Sequence, residues 1–401
     1  MATAGDPVPP PSDATGTPLP TDTPVGRIIA GRIAHDGPMT VGSYMALALG
    51  HPVHGYYTAR EPFGAGGDFV TAPEISQMFG ELVGLWLAVA WDEAGRPARP
   101  LLVELGPGRG TLMADSLRAM RMLPGLLDMA DVHLVEQSPR LKAAQAAMLS
   151  QCGLPRPVTW HDDIDDLPAD RPVLLIANEF FDALPVQQLV RRPDGLWSER
   201  MIDLDPDRPG HFRYGLSPDP SPMAQVLTQR IAGAPLAAVP PGSLAEVQPA
   251  AIAIAGRVAA RIAANGGAAL IVDYGHGLSA PGDTFQAMRA HAHTDPLIGP
   301  GLADLTVHVD FERLAAAATA AGATAHGPVG QGRFLGRLGI GARAERLARA
   351  APDGTARAAI ATALRRLTAP DQMGTLFKVL ALTRATTPPP GFAPVPGFDD
   401  A

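Results

Sequence analysis

From Pro100 onward, short runs of apolar residues alternate with stretches in which apolar positions recur every three to four residues. The first pattern is typical of strands buried on both faces of a parallel sheet, and the second is typical of helices that cover such a sheet. The apolar runs predict seven strands, near residues 101–105, 131–136, 158–160, 173–177, 268–273, 323–326 and 376–383. The alternation therefore predicts an α/β fold whose sheet is covered on both faces.

The chain before Pro100 has helical periodicity, so residues 26–97 are predicted to form a helical segment ahead of the main domain. Its longest helix is predicted to run from Pro73 to Ala94. Thr71 is the expected N-cap, Pro73 suits the first turn, and Glu74 complements the positive end of the helix dipole.

The main domain is predicted to span residues 98–385, with two intervals that are too long for simple crossovers between strands. These intervals, at about residues 186–250 and 283–370, are interpreted as insertions that cover the carboxyl ends of the strands and recognise the substrate. The two ends of the chain, residues 1–25 and 386–401, are too polar to bury a core of their own. They are predicted to be disordered tails.

The first predicted strand ends in an acid and continues into a glycine-rich turn, with the sequence Leu-Leu-Val-Glu-Leu-Gly-Pro-Gly-Arg-Gly-Thr over residues 101–111. Gly106, Gly108 and Gly110 permit left-handed backbone angles and let a ligand approach the main chain, and the next helix offers free N–H groups. The spacing Gly-x-Gly-x-Gly differs from the Gly-x-Gly-x-x-Gly of NAD-binding folds. Because Glu104 can also accept hydrogen bonds from an ammonium group, which NAD lacks, the turn predicts a site for S-adenosylmethionine.

Acids also follow the next two predicted strands. Glu136 ends the second strand, where a carboxylate can accept hydrogen bonds from both hydroxyls of a ribose. Asp162 follows the third strand and can accept a hydrogen bond from the adenine amine. Each residue has a plainer interpretation, because Glu136 can be an exposed strand end and Asp162 can belong to a solvated acidic turn.

Composition narrows the range of partners and compartments. Of the 401 residues, 46% are hydrophobic and 18% are charged, and no apolar run has membrane-spanning length, so we expect a globular protein without membrane insertion. A net charge of −8 predicts no general affinity for nucleic acid. The single cysteine, Cys152, provides neither a disulfide nor a metal cluster, so no metal is expected. The lone cysteine and the lack of a signal-peptide pattern predict a cytoplasmic protein.

Several segments, in a consistent order, resemble one known family. The long ones are Gly66–Glu81 (GGDFVTAPEISQMFGE), Glu104–Thr111 and Ala177–Pro185 (ANEFFDALP), and the shorter ones are Val272–Gly275, Ala303–Phe311, Gln331–Leu335 and Met373–Val379. They are similar to the MidA-like family of S-adenosylmethionine-dependent methyltransferases, which is related to the mitochondrial assembly factor that methylates an arginine on a complex I subunit. The resemblance extends from about Val25 to Arg384.

The resemblance implies a class I methyltransferase fold. Such a fold has a Rossmann-like sheet of seven strands with the last strand antiparallel, and here it would carry an N-terminal helical segment and inserted recognition elements. The resemblance also implies S-adenosyl-L-methionine as cofactor and an arginine of a protein as acceptor, with a subunit of the respiratory NADH dehydrogenase as the expected target. A homodimer is left open.

The segment after the fourth predicted strand lies where ligands bind in doubly wound folds. Its chemistry suits a guanidinium group, because Glu179 and Asp182 can hold the planar fork through paired hydrogen bonds. Asn178 can accept an N–H from the acceptor and is also a candidate contact to the cofactor, while Phe180 or Phe181 can cover the cation. In the plainer interpretation, both phenylalanines belong to the core and only one acid is functional.

A loop before the long predicted helix is a candidate lid. Gly67, Asp68 and Phe69 lie between a glycine-rich stretch and the capped helix start. They are predicted to close over the cofactor, with Asp68 near its methionine part. A purely structural loop is the alternative.

A further polar cluster is predicted within the second insertion, where His308 stands between Asp304 and Asp310. His308 is a candidate to accept a proton during the reaction. The alternative is a structural histidine, which is the commoner role.

Two other functions are compatible with these residues. One is methylation of a different amide or amino nitrogen, because Asn-Glu-Phe-Phe distantly resembles the Asn-Pro-Pro-Phe/Tyr loop that serves planar amino groups. The missing prolines and the acidic pair count against it. The other is an assembly chaperone that binds the cofactor without turnover. The mass of the reaction product distinguishes the three functions.

Overall fold

The computed structural model describes residues 20–59, 70–224, 227 and 239–393. Within these residues the strands are β1 (Met39–Thr40), β2 (Leu101–Leu105), β3 (Asp131–Val135), β4 (Thr159–His161), β5 (Val173–Asn178), β6 (Gln187–Arg191), β7 (Trp197–Leu204), β8 (Phe212–Pro220), β9 (Leu244–Val247), β10 (Gly267–His276), β11 (Gln286–Arg289), β12 (Ala292–Thr294), β13 (Asp304–Thr306), β14 (Val309–Asp310), β15 (Thr324–Gly330) and β16 (Phe377–Thr383). The α-helices are α1 (Pro24–Asp36), α2 (Val41–Gly50), α3 (Tyr56–Ala59), α4 (Ala72–Ile75), α5 (Gln77–Glu93), α6 (Thr111–Met120), α7 (Leu126–Met129), α8 (Pro139–Leu149), α9 (Pro249–Asn265), α10 (Phe311–Ala320), α11 (Gln331–Arg337), α12 (Ile340–Ala350), α13 (Gly354–Thr368) and α14 (Met373–Leu376).

The central sheet has the strand order β4-β3-β2-β5-β10-β16-β15. Its strands are parallel except β16, which runs antiparallel to both β10 and β15. All seven strands predicted from the apolar runs are present, and the antiparallel one is the last in the chain. The predicted class I methyltransferase sheet is therefore confirmed. The short strand β14 extends it by pairing with the end of β10.

The central sheet is buried on both faces because its strands alternate their apolar side chains between two cores. On one face, Leu102 and Leu174 pack in a core that includes Trp86 of α5 and residues of α6. On the other face, Val103 and Leu175 pack with residues of α9 and α10. This packing fixes the carboxyl ends of β2, β3, β5 and β10 along one edge, where ligands bind in doubly wound folds.

The helix predicted from Pro73 to Ala94 is broken into two. Ser76 adopts extended backbone angles (φ −164°) between α4 and α5, and its hydroxyl accepts the N–H of Met78 to cap α5. Thr71 makes no side-chain cap at the start of α4. The Ala72 N–H instead donates to Oε1 of Glu179, at 3.0 Å. The N-terminus of α4 is thus anchored to an acid of the candidate site rather than to a local hydroxyl.

Two antiparallel sheets stand outside the central sheet. One has the order β1-β7-β6-β9, with β8 also paired to β7, and the other has the order β12-β11-β13. Their side chains join those of α1 and α2 in a third core, which includes Tyr44, Phe212 and Leu305. The chain from 283 to 370 is not a single insertion, because β15 within it is a strand of the central sheet and α10 packs against that sheet.

The folded body extends further toward both ends than the tail prediction allowed. Helix α1 begins at Pro24, Thr23 caps it by accepting the Gly26 N–H, and Val25 is buried. Near the other end, Phe392 packs against Trp86. Predicted tail residues 1–19 and 394–401 lie outside the described residues. Among the residues that are described, no helix has the length and apolar character needed to cross a membrane.

Candidate functional site

A cavity of about 880 Å³ opens at the carboxyl ends of the central strands. Its walls come from the glycine loop after β2, from the segments after β3, β4 and β5, and from residues of α3, α4 and the sheet β11–β13. The predicted site residues that line it are Glu104, Gly106, Gly108, Glu136, Asp162, Asn178, Glu179, Asp182 and His308. The fold thus assembles residues from distant parts of the sequence in one cavity.

The glycine loop has the backbone that its sequence predicted. Gly106, Gly108 and Gly110 have φ values of 60°, 52° and 87°, all in the left-handed region that favours glycine. Gly110 does not line the cavity but is the N-cap of α6. A Cβ at Gly106 would lie 2.8 Å from Cδ2 of Phe180, so the loop and the acid-bearing segment after β5 approach each other closely.

Glu104 is a buried acid in the wall of this cavity. Its side chain is 3% exposed, and within the described residues its Oε2 has no hydrogen-bond partner. Burial, with a smaller contribution from the negative charge of Glu136, raises the pKa of Glu104 to about 8. A buried carboxyl oxygen without a protein partner indicates a position completed by a ligand that donates hydrogen bonds.

Glu136 and Asp162 differ in how firmly they are held. Glu136 accepts the Ser138 N–H at 2.8 Å and the Gln145 side-chain amide at 3.2 Å, and burial raises its pKa. The exposed-strand-end interpretation of Glu136 is therefore wrong. Asp162 is 74% exposed and pairs with Lys142 at 2.6 Å, so its side chain stands at the solvent side of the cavity.

The segment after β5 is held by an acid on the neighbouring strand. Asp273 of β10 is fully buried, and its Oδ2 accepts the backbone N–H groups of Phe181 at 3.0 Å and Asp182 at 3.2 Å. Glu179 adopts a left-handed φ of 49°, which turns the chain at the strand end. The role of Asp273 was missed from sequence, although an acid ending the strand beside β5 is the kind of signal that points to it.

This segment concentrates acidic groups that no cation balances among the described residues. Burial, together with the charge of Asp182, raises the pKa of Glu179 to about 8. Burial also raises the pKa of Asp182 to about 6. Among the described residues, the Oδ1 atoms of Asp182 and Asn178 lack hydrogen-bond partners. No Lys or Arg of the described chain forms an ion pair with Glu179 or Asp182. The arrangement suits a cationic, hydrogen-bond-donating ligand.

The aromatic residues of this segment have separate roles. Phe180 lines the cavity, as the cation-covering hypothesis requires. Phe181 is fully buried in the core below the sheet and cannot cover a ligand.

Two tyrosines that were not among the predicted site residues also line the cavity. The Tyr57 hydroxyl donates to Oδ1 of Asp304 at 2.8 Å. Tyr274 packs edge-on against His308, with ring centroids 5.5 Å apart. Tyr274 lies in a segment of the family resemblance, Val272–Gly275, but the contacts of both tyrosines are made only by the folded chain.

The predicted cluster of Asp304, His308 and Asp310 is divided by the structure. Asp304 and His308 line the cavity, and burial lowers the pKa of His308 so that its ring is neutral near pH 7. Asp310 instead caps α10 by accepting the Arg313 N–H, and it pairs with the Arg313 side chain at 2.9 Å. Its role is structural. The predicted lid residues Gly67, Asp68 and Phe69 lie outside the described residues, so their role stays a prediction.

Comparison with known proteins fits this site. A family model of S-adenosyl-L-methionine-dependent methyltransferases matches residues 82–329. The chain is 41% identical to the mitochondrial protein arginine methyltransferase NDUFAF7 of Xenopus laevis, over 88% of this chain and 82% of that protein. It is 37% identical to the Homo sapiens protein of the same name, over 90% of this chain and 83% of that protein. This chain belongs to the S-adenosyl-L-methionine-dependent methyltransferases.

A solved structure extends the comparison of this methyltransferase to the whole fold. A Burkholderia thailandensis protein, crystallised with S-adenosyl-homocysteine, is 29% identical and superposes with a TM-score of 0.78 over 94% of each chain. The predicted enzyme class and cofactor are confirmed: the chain is a methyltransferase that uses S-adenosyl-L-methionine.

The predicted cytoplasmic location of this methyltransferase is wrong, because the relatives from Xenopus laevis and Homo sapiens are named as mitochondrial proteins. The prediction rested on a lone cysteine and on the lack of a signal-peptide pattern. Those features indicate a reducing compartment, but they do not distinguish one such compartment from another.

Proposed function

We propose that this methyltransferase transfers a methyl group to a guanidinium nitrogen of an arginine in a protein. The observation that carries the proposal is the pair Glu179 and Asp182, which line the cavity without a cationic partner among the described residues; Asp182 is buried and Glu179 is half-buried. The names of the relatives, which are protein arginine methyltransferases, support it.

The cofactor end of the cavity is assigned to the glycine loop and to three acids: Glu104 within β2, Glu136 after β3 and Asp162 after β4. Glu104, whose Oε2 lacks a protein partner in the described chain, would hold the ammonium group. Glu136 would accept the ribose hydroxyls and Asp162 the adenine amine, while the backbone at Gly108 lets the ligand approach the main chain. When bound there, S-adenosyl-L-methionine supplies a methyl group activated on a sulfonium.

At the acceptor end, the chain's own contacts set the directions of the two acids. Glu179 already accepts the Ala72 N–H at Oε1, and Asp182 has its backbone fixed by Asp273. A guanidinium beside them would lower the pKa of both carboxyls, so that they bind it as carboxylates. His308, neutral near pH 7, is positioned along the same cavity to accept the proton that the nitrogen loses.

The acceptor protein is taken from the family resemblance described above. We assign it as a subunit of the respiratory NADH dehydrogenase, methylated during assembly of that complex. The acidic end of the cavity supports the arginine side chain as target, and it carries no information on which protein presents it.

Glu179→Gln and Asp182→Asn test the proposal most directly. Each variant is expected to retain S-adenosylhomocysteine binding and to lose methyl transfer by roughly tenfold or more, because charge-assisted bonds contribute on the order of 1.5 to 3 kcal/mol. Glu199→Gln is the control. Glu199 has a raised pKa and an unpartnered oxygen in the described chain, yet it lies in β7, outside the cavity. Full transfer activity in both site variants would contradict the proposed acceptor site.

A further inference from the structure

A third acid faces the acceptor end of the cavity from outside the central sheet. Asp304 lies in β13 and is 5% exposed, and Tyr57 of α3 donates its hydroxyl to Oδ1 of Asp304 at 2.8 Å. Burial and then the charge of Asp304 raise the pKa of Tyr57 well above its ordinary value. The hydroxyl therefore stays protonated and acts as a donor at physiological pH.

The segment that carries Asp304 is fastened to the segment that carries Asp182. The Val307 N–H donates to the Asp182 carbonyl oxygen at 3.0 Å. The charge of Asp304 also adds to the repulsion that raises the pKa of Glu179. Asp304 therefore lies close enough to the acid pair to act on the same ligand.

Asp182 and Asn178 each have a side-chain oxygen that accepts no hydrogen bond within the described protein. Asp182 and Asn178 are 5% and 8% exposed, and both line the cavity. The Oδ1 atom of each has no partner in the described residues. These oxygens point to a ligand with several N–H donors.

We propose that Asp304, oriented by Tyr57, is a specificity-determining residue that binds the acceptor guanidinium together with Glu179 and Asp182. The inference rests on the proposed arginine acceptor. A guanidinium presents five N–H donors in one plane, so three carboxylates can share it, whereas a lysine ammonium presents three donors around a point. Tyr57 acts through Asp304 and is a positioning residue.

The structural consequence is that the acceptor site is completed by two additions to the central sheet. Tyr57 comes from the N-terminal helical segment. Asp304 lies 247 residues later, in the small sheet formed by β11, β12 and β13. Selection of the acceptor is therefore separated from cofactor binding, which uses the segments after β2, β3 and β4.

A double-mutant cycle tests this inference. The probe is a synthetic peptide mixture with a fixed central arginine and degenerate flanks, measured for kcat and KM and for binding by calorimetry with S-adenosylhomocysteine present. Asp304→Asn is expected to raise KM and Kd about tenfold with kcat little changed, and Tyr57→Phe to raise them about threefold. The double variant is expected to match Asp304→Asn if Tyr57 acts on the acceptor through that acid.

Tyr44→Phe is the matched control, because it also removes one buried tyrosine hydroxyl. Tyr44 donates to the Pro296 carbonyl oxygen at 2.6 Å and lies outside the cavity, so this variant should keep the wild-type KM and Kd. Wild-type KM and Kd in Asp304→Asn, or additive effects in the double variant, would overturn the inference. Failure of the wild-type enzyme to methylate the arginine mixture would instead contradict the proposed function itself.

Discussion

At the scale of single residues, the cavity is defined by carboxyl groups whose pKa values are raised by burial. Burial is the chief cause that raises the pKa of Glu104 and Glu179 to about 8 and that of Asp182 to about 6. Each of these acids could be predicted from its position after a strand. Their desolvation could not, because it depends on α3, α4 and the small sheet, which cover the strand ends only in the folded chain.

The pKa of Glu104 leads to a prediction on stability. Its value of about 8 in the folded protein lies above that of an exposed glutamate, so the folded state holds a proton that the unfolded state loses as the pH rises. The free energy of unfolding should therefore fall between about pH 4.5 and pH 8, by about 1.4 kcal/mol per pH unit at most. Glu104→Gln should remove this loss, raising Tm at pH 8 and leaving it nearly unchanged at pH 4.

The same variant should bind the cofactor product less well. Glutamine keeps the shape of Glu104 but loses the charge that would hold the ammonium, so the Kd for S-adenosylhomocysteine at pH 8 should rise about tenfold or more. Thermal melts and calorimetry on one protein sample measure both effects. A variant that is destabilised at pH 8, or that binds with wild-type affinity, would contradict the assignment of Glu104.

At the scale of elements, the central strands could be predicted because each is a buried apolar run ending in a turn signal. The broken helix could not. The short helix before Ser76 is held by a hydrogen bond from the Ala72 N–H to Glu179, which joins positions far apart in the sequence. The interval 283–370 is not one insertion, because β15, which the apolar run at 323–326 predicted, joins the central sheet within it.

The close approach of α5 and α6 gives a prediction at this scale. A Cβ added at Gly84 would lie 2.5 Å from Cα of Ser116, so Gly84→Ala should push the helices apart and lower the free energy of unfolding by about 1 to 3 kcal/mol. Gly256 is the control, because nothing lies within 4 Å of a Cβ added there in α9. Gly256→Ala should raise the free energy of unfolding by about 0.5 to 1 kcal/mol, through helix propensity alone. Denaturant titration compares them, and the same sign in both would refute the packing argument.

At the scale of the whole molecule, cofactor and acceptor are held by different parts of one fold. The cofactor end follows from the central sheet, whose seven strands and glycine loop could be predicted from sequence. The acceptor end also needs Tyr57 and Asp304, which the sequence separates by 247 residues and the fold brings to 2.8 Å. Several acids line the cavity, and a cationic side chain bound beside them would favour their ionised form.

The identity of the methylated residue tests the account most directly. Protein extract should be incubated with the enzyme and S-adenosyl-L-methionine labelled in its methyl group, and the labelled products should be hydrolysed and identified by mass spectrometry. We predict that the label is recovered as methylarginine, and that Asp182→Asn reduces it by roughly tenfold or more. Recovery of the label as methylglutamine, methyllysine or methylated nucleic acid would contradict the arginine acceptor while leaving the methyltransferase fold intact.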